Sequence, residues 1–357
     1  MPISAVDSIN PAFQHAKQQL FQPFRFGQWS RLALVGLLAG ELSSGGGCNF
    51  SVPKLPQHPG GSAHFLAPGF PFPAANPLLV AGLIALLVVV GIVLWLLLLY
   101  VNSVMRFVLF DSVVEKHCQI RRAWSRRQRS GVSYFIWKIV ISFCAMAELG
   151  ILVGIPVAFA FSAGWLKNPG QHILPLVLCG MVLFFFLFVF VIGLLILEVL
   201  SKDFMVPQMA LENIGAFEAW RRLWKMLKAE KGGYAGYLGM KAVLAIAAAI
   251  LVGIATVILL IVLLIPVGGL GVVAVLAGKA AGLTWNAYTI TAVVVGGSVV
   301  VVGILYLFSL VSVPVIVFFP AYSIYFFAAR YPALAAVLYP APPMTLAPPE
   351  APPNLLT

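Results

Sequence analysis

Glu148 is the residue whose type and place most invite chemistry in this sequence of 357 residues. It stands in CAMAELG, near the middle of a long apolar run, and an ionisable group there is a candidate for function by default. Such a carboxyl can bind a proton or a cation, contact a polar solute, or hydrogen-bond a neighbouring helix purely for packing. Glu41, near the expected outer end of a short first span, approaches it in depth, or else is an interfacial residue held by the Gly45-Gly46-Gly47 turn. Glu148 and Glu41 are the candidate intramembrane polar site. Glu198 has Lys202 four residues on, the spacing of an ion pair along one helix face.

The cations suggest a second chemistry. Lys138 and Lys241 each enter an apolar segment four residues after a tyrosine, Tyr134 and Tyr237. A long cationic stem reaches back to phosphate level while tyrosine sits at the interface. Anionic lipid headgroups are therefore candidate ligands, with ordinary anchoring as the competing reading. Arg221, Arg222, Lys225 and Lys228 belong to a helix predicted from Ile214. There Ile214, Phe217, Trp220, Trp224 and Leu227 recur at steps of three and four, and the cations and Glu218 cover the other side. Such a stripe with a basic back lies flat on an anionic bilayer, or packs as a connector on the protein's own helix ends. Asp203, Pro207, Glu212 and Glu115 fall at inner helix ends. The three carboxylates are expected to pair with the basic segments and make structural junctions.

Other chemistries find no support. Cys48, Cys118, Cys144 and Cys179 are scattered, without a CxxC or a Cys/His pairing, so neither a metal site nor a disulfide framework is expected. The five histidines form no HxxxH or HExxH pattern. No phosphate-binding glycine loop, GxSxG or carboxylate pair with a partner base is present. No catalytic residue and no cofactor is assigned, and the chain is not expected to be an enzyme. Glycines in the spans, such as Gly150, Gly154, Gly253 and Gly296-Gly297, are expected to permit close helix packing.

The elements that must position these residues follow from composition. The chain is 61% hydrophobic and 9% charged, with a mean hydropathy of +1.01. A soluble domain is nearer half apolar and a quarter charged. The expected fold class is all-α, a polytopic membrane helix bundle of about six transmembrane helices arranged as three helix pairs, with amphipathic interfacial helices on the cytoplasmic side. Residues 1–27 form a cytoplasmic segment with an amphipathic helix, in which Phe13, Leu20 and Phe21 supply apolar contacts. The membrane domain covers 28–331, with spans near 28–42, 77–110, 132–166, 173–200, 236–265 and 288–329. The last is too long for one crossing, and Pro314 and Pro320 are the places to break it. Residues 268–285 are an outer loop or a shallow re-entrant piece. Residues 332–357 are a Pro-rich, disordered cytoplasmic tail.

The net charge of +11 reports topology rather than nucleic acid. With six spans and a cytoplasmic N-terminus, the outer loops hold Lys54, Lys167 and Lys279, and the other 19 of 22 Lys and Arg (22 − 3) fall inside. That follows the positive-inside rule and predicts a multi-pass protein of the cytoplasmic membrane with both termini inside.

A weak internal repeat runs through the chain. Phe107 precedes Glu115 by eight residues, as Phe204 precedes Glu212. A Trp-containing basic segment follows each, with Trp124 and Trp220, and then Tyr-x-x-x-Lys. Phe318-Phe319-Pro320 echoes Met205-Val206-Pro207, with Tyr325 at the Glu position. The pattern Phe21-Gln22-Pro23-Phe24-Arg25-Phe26, Trp29, Gly40-Glu41 and Gly45-Gly46-Gly47 resembles an uncharacterised family of bacterial integral membrane proteins. Asp203 with Pro207 and Glu212, before a Trp-rich basic helix, resembles the wider group around the membrane domain of glycerophosphoryl diester phosphodiesterases. The likeness covers about residues 8 to 331. It implies a six-helix membrane module without the catalytic barrel, so no enzyme activity is carried over. The expected role is a non-enzymatic scaffold or lipid-interacting module with anionic lipid as its partner. The alternative is a transporter or channel for a small or lipidic solute using Glu148 and Glu41.

Overall fold

The computed structural model describes residues 4–41, 77–165, 169–282 and 286–339. Among them every regular element is a helix. Five are long and apolar enough to cross a membrane. They are α3 (Pro77–Val114), α4 (Ile120–Ser162), α5 (Ile173–Leu200), α8 (Lys231–Ala280) and α9 (Ala287–Val311). The shorter helices are α1 (Ile9–Phe21), α2 (Phe26–Leu38), α6 (Val206–Glu212), α7 (Ala216–Ala229), α10 (Val313–Ala328) and α11 (Pro332–Leu338). The last two pass the span test together as a pair bent by 120°, which would raise the number of spans to six. A π turn, Ser201–Met205, joins α5 to α6.

Two regions result. The apolar stems of α3, α4, α5 and α8 have none of their most apolar stretch buried, and α9 has 6%. Exposed apolar surface on that scale needs lipid, and a helix satisfies its own backbone there. At one end of the stems lies a packed head. It is built from α1, α2, α6, α7, α10, α11 and the adjoining ends of the long helices, around Phe107, Phe204, Tyr237, Tyr322, Phe326 and Phe327, each at most 1% exposed. Gly36 and Gly131 let backbones meet in the head. A Cβ on the first would meet Ile316 at 2.6 Å, and one on the second Val104 at 2.6 Å. Gly150, Gly154, Gly253, Gly296 and Gly297 meet nothing within 4 Å, so the span glycines do not mark close packing.

The expected first span, 28–42, is revised. α2 has 13 residues, about 20 Å at 1.5 Å per residue, against a hydrocarbon core of about 30 Å. It lies along the head end of α3. Gln28 Nε2 donates to the Lys116 carbonyl at 2.9 Å near one end, and Asn102 Nδ2 donates to the Leu38 carbonyl at 3.0 Å at the other. α8 continues through Pro266 to Ala280, so 268–280 is helix rather than loop or re-entrant turn. Pro266 removes one backbone hydrogen bond, and the helix carries on around it. The last apolar run breaks at Ser312, with Pro314 in the first turn of α10. Residues 332–338 are helical rather than tail: Pro332 opens ALAAVL as the first residue of a helix. The Gly45-Gly46-Gly47 turn, Cys48, Lys54, Lys167 and the tail beyond 339 lie outside the described residues.

The internal repeat has a geometric counterpart. The non-glycine residues with positive φ, among those described, are Lys116 (57°) and Asn213 (54°). They are 97 residues apart (213 − 116), as are Phe107 and Phe204 and also Glu115 and Glu212. Each ends its helix in the left-handed conformation that closes helix C-termini. The third copy ends differently, since the C-cap of α10, Ala329, is right-handed.

Candidate functional site

A set of polar and charged residues from the long helices converges where stems meet head. Asn102 and Arg106 lie on α3, one turn apart. Tyr134 and Lys138 come from α4, and Glu198 from α5. Lys202 and Asp203 lie in the π turn, and Tyr237 and Lys241 on α8. Glu41 reaches the same level from the end of α2, where Gly40 takes a φ of 75°. Lys202 Nζ donates to Glu41, and Arg106 Nη1 stands 3.7 Å from the other Glu41 oxygen. Arg106 Nη2 donates to Glu198 Oε1 at 3.4 Å. The spacing of Glu198 and Lys202 suggests a pair, yet each side chain takes a partner on another helix. Arg106 Nε and Nη1 meet no hydrogen-bond acceptor among the described residues. Arg106 also lines a cavity of about 30 Å3 together with Glu41, Lys202 and Asp203, room for about one water molecule.

The two Tyr-x-x-x-Lys motifs enter this level with different partners. Tyr237 OH donates to Asp203 Oδ2 at 2.8 Å and Lys241 donates to the same carboxylate. All three side chains are buried. Lys138 Nζ donates to Asn102 Oδ1 at 2.6 Å. It is only half-buried and opens on a groove between α4 and α5.

The junction carboxylates pair as follows. Glu115 accepts from Arg126 at 2.8 Å, and Glu212 accepts from Arg222 and from the Tyr331 hydroxyl. Asp203 does not reach a basic loop helix. It is tied to Tyr237 and Lys241 instead, so this expectation is corrected. Pro207 is buried in the first turn of α6 beside the small cavity. Arg127 forks onto Asp111, with Nε at 2.9 Å and Nη2 at 2.8 Å, and its third nitrogen donates to the Ala210 carbonyl. That one guanidinium clamps α4 to both α3 and α6.

On α7 the buried face is Ala216, Ala219 and Leu223. Phe217 and Trp224 of the apolar stripe are exposed, at 58% and 50%, as the bilayer-facing reading of that stripe requires rather than the connector reading. Small residues let α7 sit close to the head, and the large rings turn outward. With Trp137 and Trp220 they form a row: Trp137 lies 5.3 Å from Phe217 and 5.4 Å from Trp220, which lies 6.1 Å from Trp224. Arg221 and Arg222 pair with Glu218 at 2.6 and 3.0 Å. Lys225 and Lys228 are exposed, the latter over the Trp224 ring. On α1, Leu20 makes the expected apolar contact inside the head and Phe21 packs against Trp29 at 5.7 Å. The helix's buried face is Ala12, His15, Ala16, Gln19 and Leu20, and Phe13 and Phe21 are exposed.

The candidate pair of Glu148 and Glu41 is not brought together. Glu148 is exposed on the α4 stem, ten residues or about 15 Å of helix beyond Lys138. Among the described residues it makes no hydrogen bond or ion pair. Glu41 lies in the head, not at the opposite end of the bundle. Sequence reasoning missed Asn102, Arg106, Asp111 and Arg127. The signal for the first two is in the text: after 24 residues from Leu78 without a charge or amide, Asn102 and Arg106 recur at i and i+4 on one helix face.

A family profile matches residues 3–337, nearly the whole chain. The protein belongs to a family of unknown function, DUF7544. No curated protein and no solved structure matches it. The likeness to the membrane domain of glycerophosphoryl diester phosphodiesterases therefore has no counterpart among these comparisons. Family membership agrees with the five long apolar helices in pointing to a membrane protein, and it adds no activity.

Proposed function

We propose that this DUF7544 protein is a non-enzymatic, lipid-interacting membrane scaffold of the cytoplasmic membrane, with its head and both termini on the cytoplasmic side. The orientation is supported by the cations: among the described residues, every Lys and Arg except Lys279 belongs to the head or its boundary, as the positive-inside rule asks of a cytoplasmic face. The observation that carries the lipid reading is the aromatic row Trp137, Phe217, Trp220 and Trp224, edged by Lys225 and Lys228 at the stem–head boundary. Exposed tryptophan beside cations is the composition of a bilayer interface, where anionic headgroups meet acyl chains. Transport has weaker support, because Glu148 stands alone on its stem and Glu41 is engaged in ion pairs with Lys202 and Arg106. The likeness to phosphodiesterase membrane domains stays part of this reading, since Asp203, Pro207 and Glu212 carry it as packing residues.

The test is charge reversal of Arg221, Arg222, Lys225 and Lys228 to Glu. Phosphatidylglycerol retained by the purified chain should fall by about tenfold or more, given about 1 kcal/mol per cation near an anionic surface. Unchanged retention in a correctly folded variant contradicts the reading.

A further inference from the structure

We propose that the groove between α4 and α5 binds one phospholipid whose headgroup carries both a phosphate and a primary ammonium, the phosphate on Lys138 and the ammonium on Glu198. This rests on the lipid-interacting reading above and narrows it to a zwitterionic ligand.

The groove has a volume of about 280 Å3. Its polar end holds Lys138, Glu198, Trp137 and Ser201, with Trp137 Nε1 donating to Ser201 Oγ at 3.4 Å. Its other end, further along the stems, is lined by Ile141, Ala145 and Leu194. That gradient is the one a phospholipid presents from headgroup to acyl chain, and it lies where the stems leave the head.

The charges select the headgroup. Lys138 and Glu198 line one groove but do not pair with each other. Lys138 has three N–H donors; its hydrogen-bond partner is the neutral Asn102 amide, and among the described residues no carboxylate is in direct ion-pair contact with it. The Glu198 side chain is 57% exposed and is held from one side by Arg106 Nη2. A headgroup with only an anionic phosphate would satisfy Lys138 and face the carboxylate unfavourably. A phosphate joined to a primary ammonium satisfies both, and the ammonium brings N–H donors to Glu198. A quaternary ammonium has no such donor. Lys241, at the related position of the other junction, is already neutralised by Asp203 and is buried. The open cation is therefore specific to the α4–α5 groove.

The experiment is native mass spectrometry of the delipidated full chain in detergent, titrated with phosphatidylethanolamine, phosphatidylcholine and phosphatidylglycerol of matched acyl chains. Phosphatidylethanolamine should be retained about tenfold more than phosphatidylcholine, the effect of one charge-assisted hydrogen bond. Glu198→Gln should lower ethanolamine-lipid binding and spare phosphatidylglycerol. Lys138→Gln should lower both. Asn102→Asp, which supplies Lys138 with a carboxylate, should also lower both. Ala145→Phe keeps every charge and fills the groove, so it should abolish the ethanolamine preference in a normally folded chain. Equal retention of ethanolamine and choline lipids, or an unchanged preference in Glu198→Gln or Ala145→Phe, overturns the proposal. A preference for phosphatidylglycerol that is lost on reversing the α7 cations overturns it too, but leaves the anionic-lipid reading standing. No retained lipid of any kind overturns both.

Discussion

At the α5–α8 junction Lys241 is buried against Asp203 and Tyr237, whereas at the α3–α4 junction Lys138 is half-buried against the amide of Asn102. The two junctions share a Phe, a Glu eight residues on, a left-handed cap and Tyr-x-x-x-Lys. Before the Phe, however, one has Arg106 and the other Asp203. In the second junction the acid sits where it can neutralise the lysine. In the first, Arg106 pairs with Glu41 and Glu198 instead, and the lysine is left to a neutral partner and an open groove. The same scaffold thus yields a locked ion pair at one junction and an exposed cation at the other. Their packing differs as well. Gly131 brings α4 against Val104, while Tyr234 packs its ring 5.2 Å from Phe204.

The largest effect is expected from breaking the locked junction. Asp203→Ala leaves Lys241 buried without its carboxylate and should cost about 3–5 kcal/mol in unfolding free energy. Asn102→Ala removes two hydrogen bonds, one to the Leu38 carbonyl and one from a half-buried Lys138, leaves no charge buried without its counter-ion, and should cost less, about 1.5–3 kcal/mol. Equal losses in a denaturation series would erase the distinction between the junctions. Next in size is Gly131→Ala, whose new methyl meets Val104. It should destabilise by about 1–3 kcal/mol, while Gly296→Ala on the open α9 stem should be neutral or slightly stabilising. A loss in the second variant as large as in the first would mean that the stems pack as the head does.

The smallest effect concerns α1, which packs on α10 and hydrogen-bonds to the end of α3. His15 Nε2 donates to the Val113 carbonyl at 2.8 Å, and Nδ1 accepts from the Tyr325 hydroxyl at 3.1 Å. The Val113 bond places the proton of the neutral ring on Nε2. Burial holds its pKa below the usual histidine value, with Lys116 acting in the same direction against the Val113 hydrogen bond. The unfolded chain therefore takes up a proton first. The contribution of His15 is complete above about pH 6.5 and declines below it, by at most about 1.4 kcal/mol per pH unit. Protection factors of the α1 amides, taken relative to the intrinsic exchange rate at each pH, should fall as pH drops from 7 to 5.5, and His15→Gln should flatten that dependence. Protection factors independent of pH would remove His15 from the account.

Much of the fold was legible in the sequence. Uncharged apolar runs locate the five stems, and the cations locate the head. The 97-residue spacing of the repeat was readable, and its structural mark, the left-handed caps at Lys116 and Asn213, follows the same spacing. α2 was misread because its apolar residues suit a lipid-facing helix as well as one buried on α3, α9 and α10. Hydropathy alone does not distinguish the two. The partners of Glu198, Lys202 and Asp203 were misassigned for a related reason. Sequence spacing shows which residues share a helix face, whereas these three find their partners across helices. On α7 the stripe was read either against lipid or against the protein's own helix ends, and the large rings are outside while Ala216, Ala219 and Leu223 are buried; hydropathy shows an apolar face but not which neighbour covers it.

The contrast between the two lysines is tested most directly by replacing each with methionine, which keeps the stem and removes the charge, and measuring unfolding of the delipidated protein. Lys241→Met should lose about 3–5 kcal/mol, because Asp203 is left buried and unpaired. Lys138→Met should lose less than about 1 kcal/mol. Equal losses, or a larger loss for Lys138→Met, would contradict the assignment of one lysine to the fold and the other to the groove.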